Sequence, residues 1–180
     1  MSSTFKNLRD QSTKMRLVIA LMRHDLRLAD NPIINALSHA EVQHFIPLFV
    51  CRPLHLDIQG FVKDGGEKKS STSIARSRVG KFRRCGSLRA QFLVESLWDI
   101  KSGLRGLGSD LVIRVGDSSD VLKTMMEGLR KQHEYADMEI WFTKEFASEE
   151  VEEEKMIKKM ASWQNVACRV FDDESTLIHR

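Results

Sequence analysis

Five short apolar runs alternate along this chain with amphipathic segments, and that alternation restricts the fold more than any other feature. The runs cover residues 17–21, 45–50, 111–115, 139–142 and 166–171. Each is too short for a buried helix and reads as a strand covered on both faces. Between them lie helix candidates at 32–39, 89–107, 119–132 and 148–163. In the second, Leu93, Leu97, Ile100 and Leu104 recur at spacings of four, three and four, which places them on one helical face. Gly106 and Gly108 close that helix. In the third, Val121, Met125 and Leu129 form a stripe, with Ser118 or Ser119 as a cap. The fourth is acid-rich at its start and lysine-rich at its end, which suits the helix dipole, and Glu154 and Lys158 are spaced to pair. Alternation of this kind predicts an α/β fold: a Rossmann-like parallel sheet of five strands with helices on both faces and right-handed crossovers.

One domain is expected over residues 16–180, long enough to bury a real core. Residues 1–15 are polar and read as a disordered tail, with a short organellar leader as the alternative. A formal net charge of +3 demands no polyanionic partner. Cys51, Cys85 and Cys168 are odd in number, distant in sequence and without metal-ligand spacing, which points to a reducing intracellular compartment. No apolar run approaches the roughly 20 residues of a membrane helix. Residues 52–87 interrupt the alternation, being too long for an ordinary connection and rich in Gly, Ser, Lys and Arg. They read as a functional loop or as partly disordered. Across residues 63–89 the bases Lys63, Lys68, Lys69, Arg76, Arg78, Lys81, Arg83, Arg84 and Arg89 face only Asp64 and Glu67. Such a segment can contact phosphates without reading sequence. A solvated loop accounts for the same charges, and Phe82 is the lone stacking candidate nearby.

Several kinds of chemistry are missing. There is no P-loop, no nucleophile elbow and no histidine pair at metal-binding spacing. The glycines Gly103, Gly106 and Gly108 are wrongly spaced for a dinucleotide fingerprint and end a helix rather than start one. These absences argue against a self-contained hydrolase or metalloenzyme. Trp98, Trp141 and Trp163 invite an electron-transfer reading, but core packing accounts for all three.

The segment from Met22 to Ile34, MRHDLRLADNPII, sets four charges between a strand and a helix start. Locally, Asp30 or Asn31 caps the helix, Pro32 suits its first turn, and Arg27 pairs with Asp25 or Asp30. The same string resembles the N-terminal signature of the photolyase/cryptochrome family, R-x-D-L-R-x-x-D-N-P-x-[LI]. Arg23, Asp25, Leu26, Arg27, Asp30, Asn31, Pro32 and Ile34 all match. The likeness continues through Phe82–Ile100, which is similar to the R-[TC]-G-x-x-R-A-x-F-L-x-E-S-x-x-D-L segment of DASH-type cryptochromes. It extends through residues 111–117, 143–150 and 172–179, so it spans the domain, and the basic loop looks closest to fungal members. Departures are Met22 where an aromatic usually stands, Arg83 where tryptophan is common, and Gly86-Ser87-Leu88-Arg89-Ala90 for G-P-H-R-A.

With the alternation, the resemblance implies strand order 3-2-1-4-5. It further implies that this is the antenna domain and that the C-terminal helical domain, which carries FAD, would follow residue 180. The chain alone would then repair nothing and bind no flavin tightly, and DNA would be a partner only of the full-length protein. In DASH members a folate antenna, methenyltetrahydrofolate, meets this domain at the boundary with the helical one. Glu149 is the closest match to the antenna-contacting glutamate, Glu150 the alternative if the register slips by one, and Lys144 and Glu145 lie near as orienting charges. A carboxylate suits a pterin's paired N–H donors, whereas a charge role at a helix N-terminus serves Glu149 equally. An apolar patch is expected where the helical domain would dock. The expected location is intracellular, in cytoplasm, nucleus or organelle, with no membrane partner. The alternative function is a stand-alone nucleotide- or protein-binding module without photochemistry.

Overall fold

The chain's computed structural model describes residues 15–53, 85–132 and 135–173. Strand β1 (Met15–Met22) is followed by α1 (Pro32–Ser38), β2 (His44–Cys51), α2 (Ser87–Gly106), β3 (Val112–Val115), α3 (Ser118–Gln132), β4 (Tyr135–Thr143), α4 (Ser148–Trp163) and β5 (Ala167–Phe171). The sheet runs β3-β2-β1-β4-β5, and all four pairings are parallel. This is the architecture and strand order expected from the sequence. The first strand begins at Met15, so that residue belongs to the sheet rather than to a tail. Most of segment 52–87, expected to be irregular, and the basic residues 63–84 within it lie outside the described residues.

Strand β1 is central and loses water on both faces, which is why it carries no polar residue between Leu17 and Met22. Side chains alternate across a strand, so Leu17, Ile19 and Leu21 point to one face. There they join Leu48, Ile140, Phe142, Leu122, Met126 and Ile157 under α3 and α4. Val18, Ala20 and Met22 point to the other, against Ile33, Phe49, Ile100, Leu104 and Trp141 under α1 and α2. β3 pairs with β2 only from Leu48 onward, so Pro47 sits just before that ladder begins, where its missing N–H costs little on the β3 side.

Capping chemistry defines the helix ends. Asn31 caps α1 with its Oδ1 accepting from the Ile33 and Ile34 N–H groups at 2.9 and 3.2 Å, and Pro32 occupies the first turn. α2 ends in a Schellman motif: Ser109 N–H donates to Leu104 O at 2.9 Å and Gly108 N–H to Arg105 O at 3.0 Å. Gly108 takes the left-handed conformation this needs, with φ 79°. Asn165 (φ 53°) ends α4 in the same way, with Val166 N–H on Ala161 O.

Three sequence readings are corrected. Trp98 and Trp163 are 63% and 76% exposed, and only Trp141 is a core residue. Trp98 stands one position past Leu97, which turns it about 100° away from the core stripe of α2. In α3 the cap is Asp117 rather than Ser118 or Ser119, its Oδ1 accepting the Ser119 N–H at 3.0 Å, while the stripe of Val121, Met125 and Leu129 packs half-buried beside the fully buried Leu122 and Met126. In α4 the lysines fall short of the last turn, which holds no base, so only the acidic start complements the dipole.

Candidate functional site

The carboxyl ends of the strands gather the charged residues. Where the strand order reverses, between β1 and β4, an open α/β sheet leaves a crevice. Arg23 leaves β1 there with a side chain only 7% exposed. Its Nη2 lies 3.0 Å from Glu154 Oε1 and also donates to the Thr143 carbonyl at the end of β4. Its guanidinium lies over the Phe142 ring at 5.3 Å. Glu154 Oε1 also accepts the Glu145 N–H at 2.8 Å, and Oε2 lies 3.7 Å from Lys158, the pair expected from their spacing.

A second buried pair sits beside the first. Arg52, the first residue past β2, meets Glu153 at 3.0 Å, and the Ser118 hydroxyl at the start of α3 donates to the other Glu153 oxygen. Glu153 and Glu154 are thus buried anchors, each tying α4 to a strand end. In sequence they read only as part of the acid-rich start of α4, with Glu154 spaced to pair with Lys158. The one available signal was a basic residue directly after each of the two apolar strands, Arg23 and Arg52.

The loop after β1 is held from within. Asp25 is buried and accepts the Arg23 N–H at 2.8 Å, while Asn31 Nδ2 donates to its carbonyl at 3.1 Å. Arg27 bridges Asp30 and Asp173, each at 2.7 Å, and not Asp25. The Asp173 hydrogen bond, aided by Asp30, drives the Arg27 guanidinium above its ordinary value. Leu28 seats its tip against Gly103 of α2, where a Cβ would stand 2.5 Å from Leu28 Cδ1.

A cleft of about 280 Å³ opens over the ends of β1 and β2, under the first turns of α2. Its apolar wall comes from Leu21, Met22, Phe49, Phe92 and Leu93. Its polar wall comes from Arg23, Arg52, Arg89, Glu150 and Glu153. Of the acidic turn singled out in the sequence, only Glu150 lines this cleft. Its carboxylate is half-buried, 3.9 Å from His24 Nε2. Glu149 is exposed on the first turn of α4, outside the cleft. Lys144 sits 3.7 Å from Asp172 and over the Phe146 ring at 5.5 Å. Glu145 is half-buried, and that burial pushes its carboxyl up against the lowering pull of Arg23 and His24. The four residues therefore share one turn but divide between cleft wall and outer surface.

Elsewhere, Glu139 accepts from Trp141 Nε1 at 2.6 Å and from Arg16, and these contacts outweigh desolvation and lower its carboxyl. Burial raises the Cys51 thiol, and raises that of Cys168 to about 11, so neither is an activated nucleophile. Among the described residues no cluster of His, Cys, Asp and Glu suits a metal ion, and no helix is long and apolar enough to cross a membrane.

A family model described as DNA photolyase matches residues 18–180. A Neurospora crassa protein named as a mitochondrial cryptochrome DASH is 39% identical over 168 residues, covering 91% of this chain and 22% of its own length. The solved cryptochrome of Synechocystis sp. superposes with a TM-score of 0.71 at 18% identity, over 91% of this chain and 28% of that one. An archaeal photolyase from Sulfolobus tokodaii, solved with two FAD molecules, gives 0.64 at 21% identity, over 91% of this chain and 32% of that one. The chain thus spans less than a quarter of the Neurospora relative's length.

Proposed function

The chain belongs to the DNA photolyase family, and we propose that it serves as the chromophore-holding antenna module of a longer, flavin-dependent protein of the cryptochrome DASH type. The observation that carries this reading is the half-open cleft at the carboxyl ends of β1 and β2, apolar on one wall and bearing the Glu150 carboxylate on the other. The ligand is methenyltetrahydrofolate, which when bound supplies absorption in the near ultraviolet.

The residues fit a flat ring with paired N–H donors. Phe49, Phe92 and Leu93 offer surface to the ring faces, and Glu150 offers two acceptor oxygens in one plane. Lys144 and Glu145 hold the turn beside it, Lys144 through Asp172 and Glu145 through its N–H on Glu154. Glu149 replaces Glu150 as the acceptor only if the ligand lies outside the cleft, at the boundary with a second domain. A half-open site forfeits much of the burial that drives small-ligand affinity, so the chain alone binds weakly. In this reading FAD and DNA belong to the longer protein, the chain by itself neither repairs DNA nor retains flavin, and it resides inside the cell, with an organelle indicated by the name of the Neurospora relative.

A second reading rests on the basic side of the cleft wall. Glu154 and Glu153 engage Arg23 and Arg52, which leaves the exposed Arg89 as the guanidinium that suits a phosphate-bearing chromophore. The Sulfolobus tokodaii protein, with its two FAD molecules and implied novel light-harvesting cofactor, gives that alternative a precedent in the family. The test is equilibrium dialysis of the chain against methenyltetrahydrofolate and, separately, flavin mononucleotide, repeated with the chain joined to a flavin-binding segment. Tighter folate retention in the joined protein, with excitation in the folate band appearing as flavin emission, supports the first reading. Retention of the mononucleotide alone supports the second, and retention of neither defeats both.

A further inference from the structure

One exposed stripe of α4 follows a seven-residue repeat. Glu149, Glu152, Met156, Lys159 and Trp163 succeed one another at steps of three and four, and all five are exposed. Met156 and Trp163 are 50% and 76% exposed, where a solvated helix would carry polar side chains. Lys159 Nζ lies 5.1 Å from the centre of the Trp163 ring. Glu152 engages Lys155 at 3.2 Å with both side chains largely in water, so that pair contributes little and is readily exchanged. The stripe lies on the side of the sheet that α1 and α2 do not cover, and none of its five residues lines the cleft.

We infer that this stripe is a self-association surface, on which α4 pairs antiparallel with α4 of a second copy about a two-fold axis beside Met156. The order of charges carries the inference: acids at the start of the stripe, methionine in the middle, lysine and tryptophan at the end. With the axis beside Met156, Glu152 stands opposite Lys159 of the second copy, and two-fold symmetry makes the same contact twice. Met156 meets its own copy near the axis, and Trp163 covers the first turn of the second α4. A parallel pairing sets Glu152 on Glu152 and Lys159 on Lys159, which repel. A partner of a single charge sign is attracted along only half of the stripe. Two 16-residue helices crossing in this way bury on the order of 1,000 Å² in total, the low end for specific interfaces. The dimer is accordingly reversible, with a dissociation constant of about 10–100 μM. This inference does not depend on the antenna reading.

The test is sedimentation equilibrium of the chain and of charge-reversed variants, from about 5 to about 500 μM. The chain's mean mass should rise toward twice its monomer value across that range, and high salt should weaken the rise. Glu152→Lys and Lys159→Glu change exposed side chains, so each variant should keep the circular dichroism of the parent while staying monomeric. Mixed one to one, the two variants should associate, because each then meets the opposite charge at both contacts. Glu152→Lys combined with Lys159→Glu should dimerise like the parent, and Trp163→Ala should weaken the dimer on the order of tenfold. A chain that stays monomeric at every concentration overturns the inference. Association that survives Glu152→Lys unchanged names another face as the contact and overturns it too. Loss in both single variants without recovery on mixing overturns the antiparallel pairing.

Discussion

Arg23 and Glu154 form an ion pair of 3.0 Å with both side chains more than nine-tenths buried, and that pair ties the end of the first strand to the second turn of the last helix. Neither residue is near the other in sequence, and the contact closes the crevice where the strand order reverses. Its energetic weight lies less in the attraction than in the penalty for removing one partner. A lone buried charge costs far more than an intact pair contributes.

Arg23→Ala should therefore destabilise the chain by about 3–5 kcal/mol, the usual range for breaking a buried pair. Arg23→Met combined with Glu154→Leu should cost clearly less than the two single changes added together. Urea unfolding of the four proteins, analysed as a double-mutant cycle, gives the coupling directly.

Asn31→Asp tests the loop that carries the family signature. The new carboxylate can still cap α1, but it replaces an amide that stands 3.4 Å from Asp25 Oδ2. Two like charges should then cost about 2 kcal/mol near neutral pH, with recovery as acidification protonates the new carboxylate. Asn31→Ala should instead cost about 1–2 kcal/mol with little dependence on pH. Thermal melts across a pH series separate the two.

Glu145→Gln should stabilise the chain near neutral pH. Burial raises this carboxyl above its ordinary value of 4.5, so the folded state binds a proton more readily than the unfolded state does. The cost is absent below 4.5, where both states are protonated, and is fully present once the pH exceeds the raised folded value. The advantage of the glutamine variant should accordingly appear as the pH rises through that window and vanish in acid. Glu139 has the opposite sign: its lowered carboxyl contributes stability above the ordinary value, lost as the pH falls through the folded one.

Glu150→Ala in the joined protein should remove the folate band and leave bound flavin in place, whereas Glu149→Ala should leave both. The reverse result moves the ligand out of the cleft to the domain boundary. If both variants keep the folate, this acidic turn serves α4 alone, as N-terminal charge on its dipole.

Much of the fold was legible in the order of residues. Strand and helix identity came from the length and period of the apolar runs, and parallel pairing came from their alternation, because burial on both faces demands continuous apolar strands. Local chemistry was legible too: Gly108 as a helix stop and the spacing of Glu154 and Lys158 both depend on residues near one another in sequence. The acidic turn was located by resemblance, but which of its carboxylates faces the cleft was not, since Glu149 and Glu150 differ by one helical step of about 100°.

The sequence by itself therefore determined the order of elements, the main apolar stripes they bury, the Asn31 cap of α1 and the glycine stop of α2, all consequences of periodicity and short-range hydrogen bonding. Tertiary structure alone decided that Glu153 and Glu154 turn inward to Arg52 and Arg23, and that Trp98 turns outward. A charge enters a protein interior only when an opposite charge arrives there from another element. That meeting is arranged by the crossing of strands and helices far apart in the chain, and no local pattern of residues encodes it.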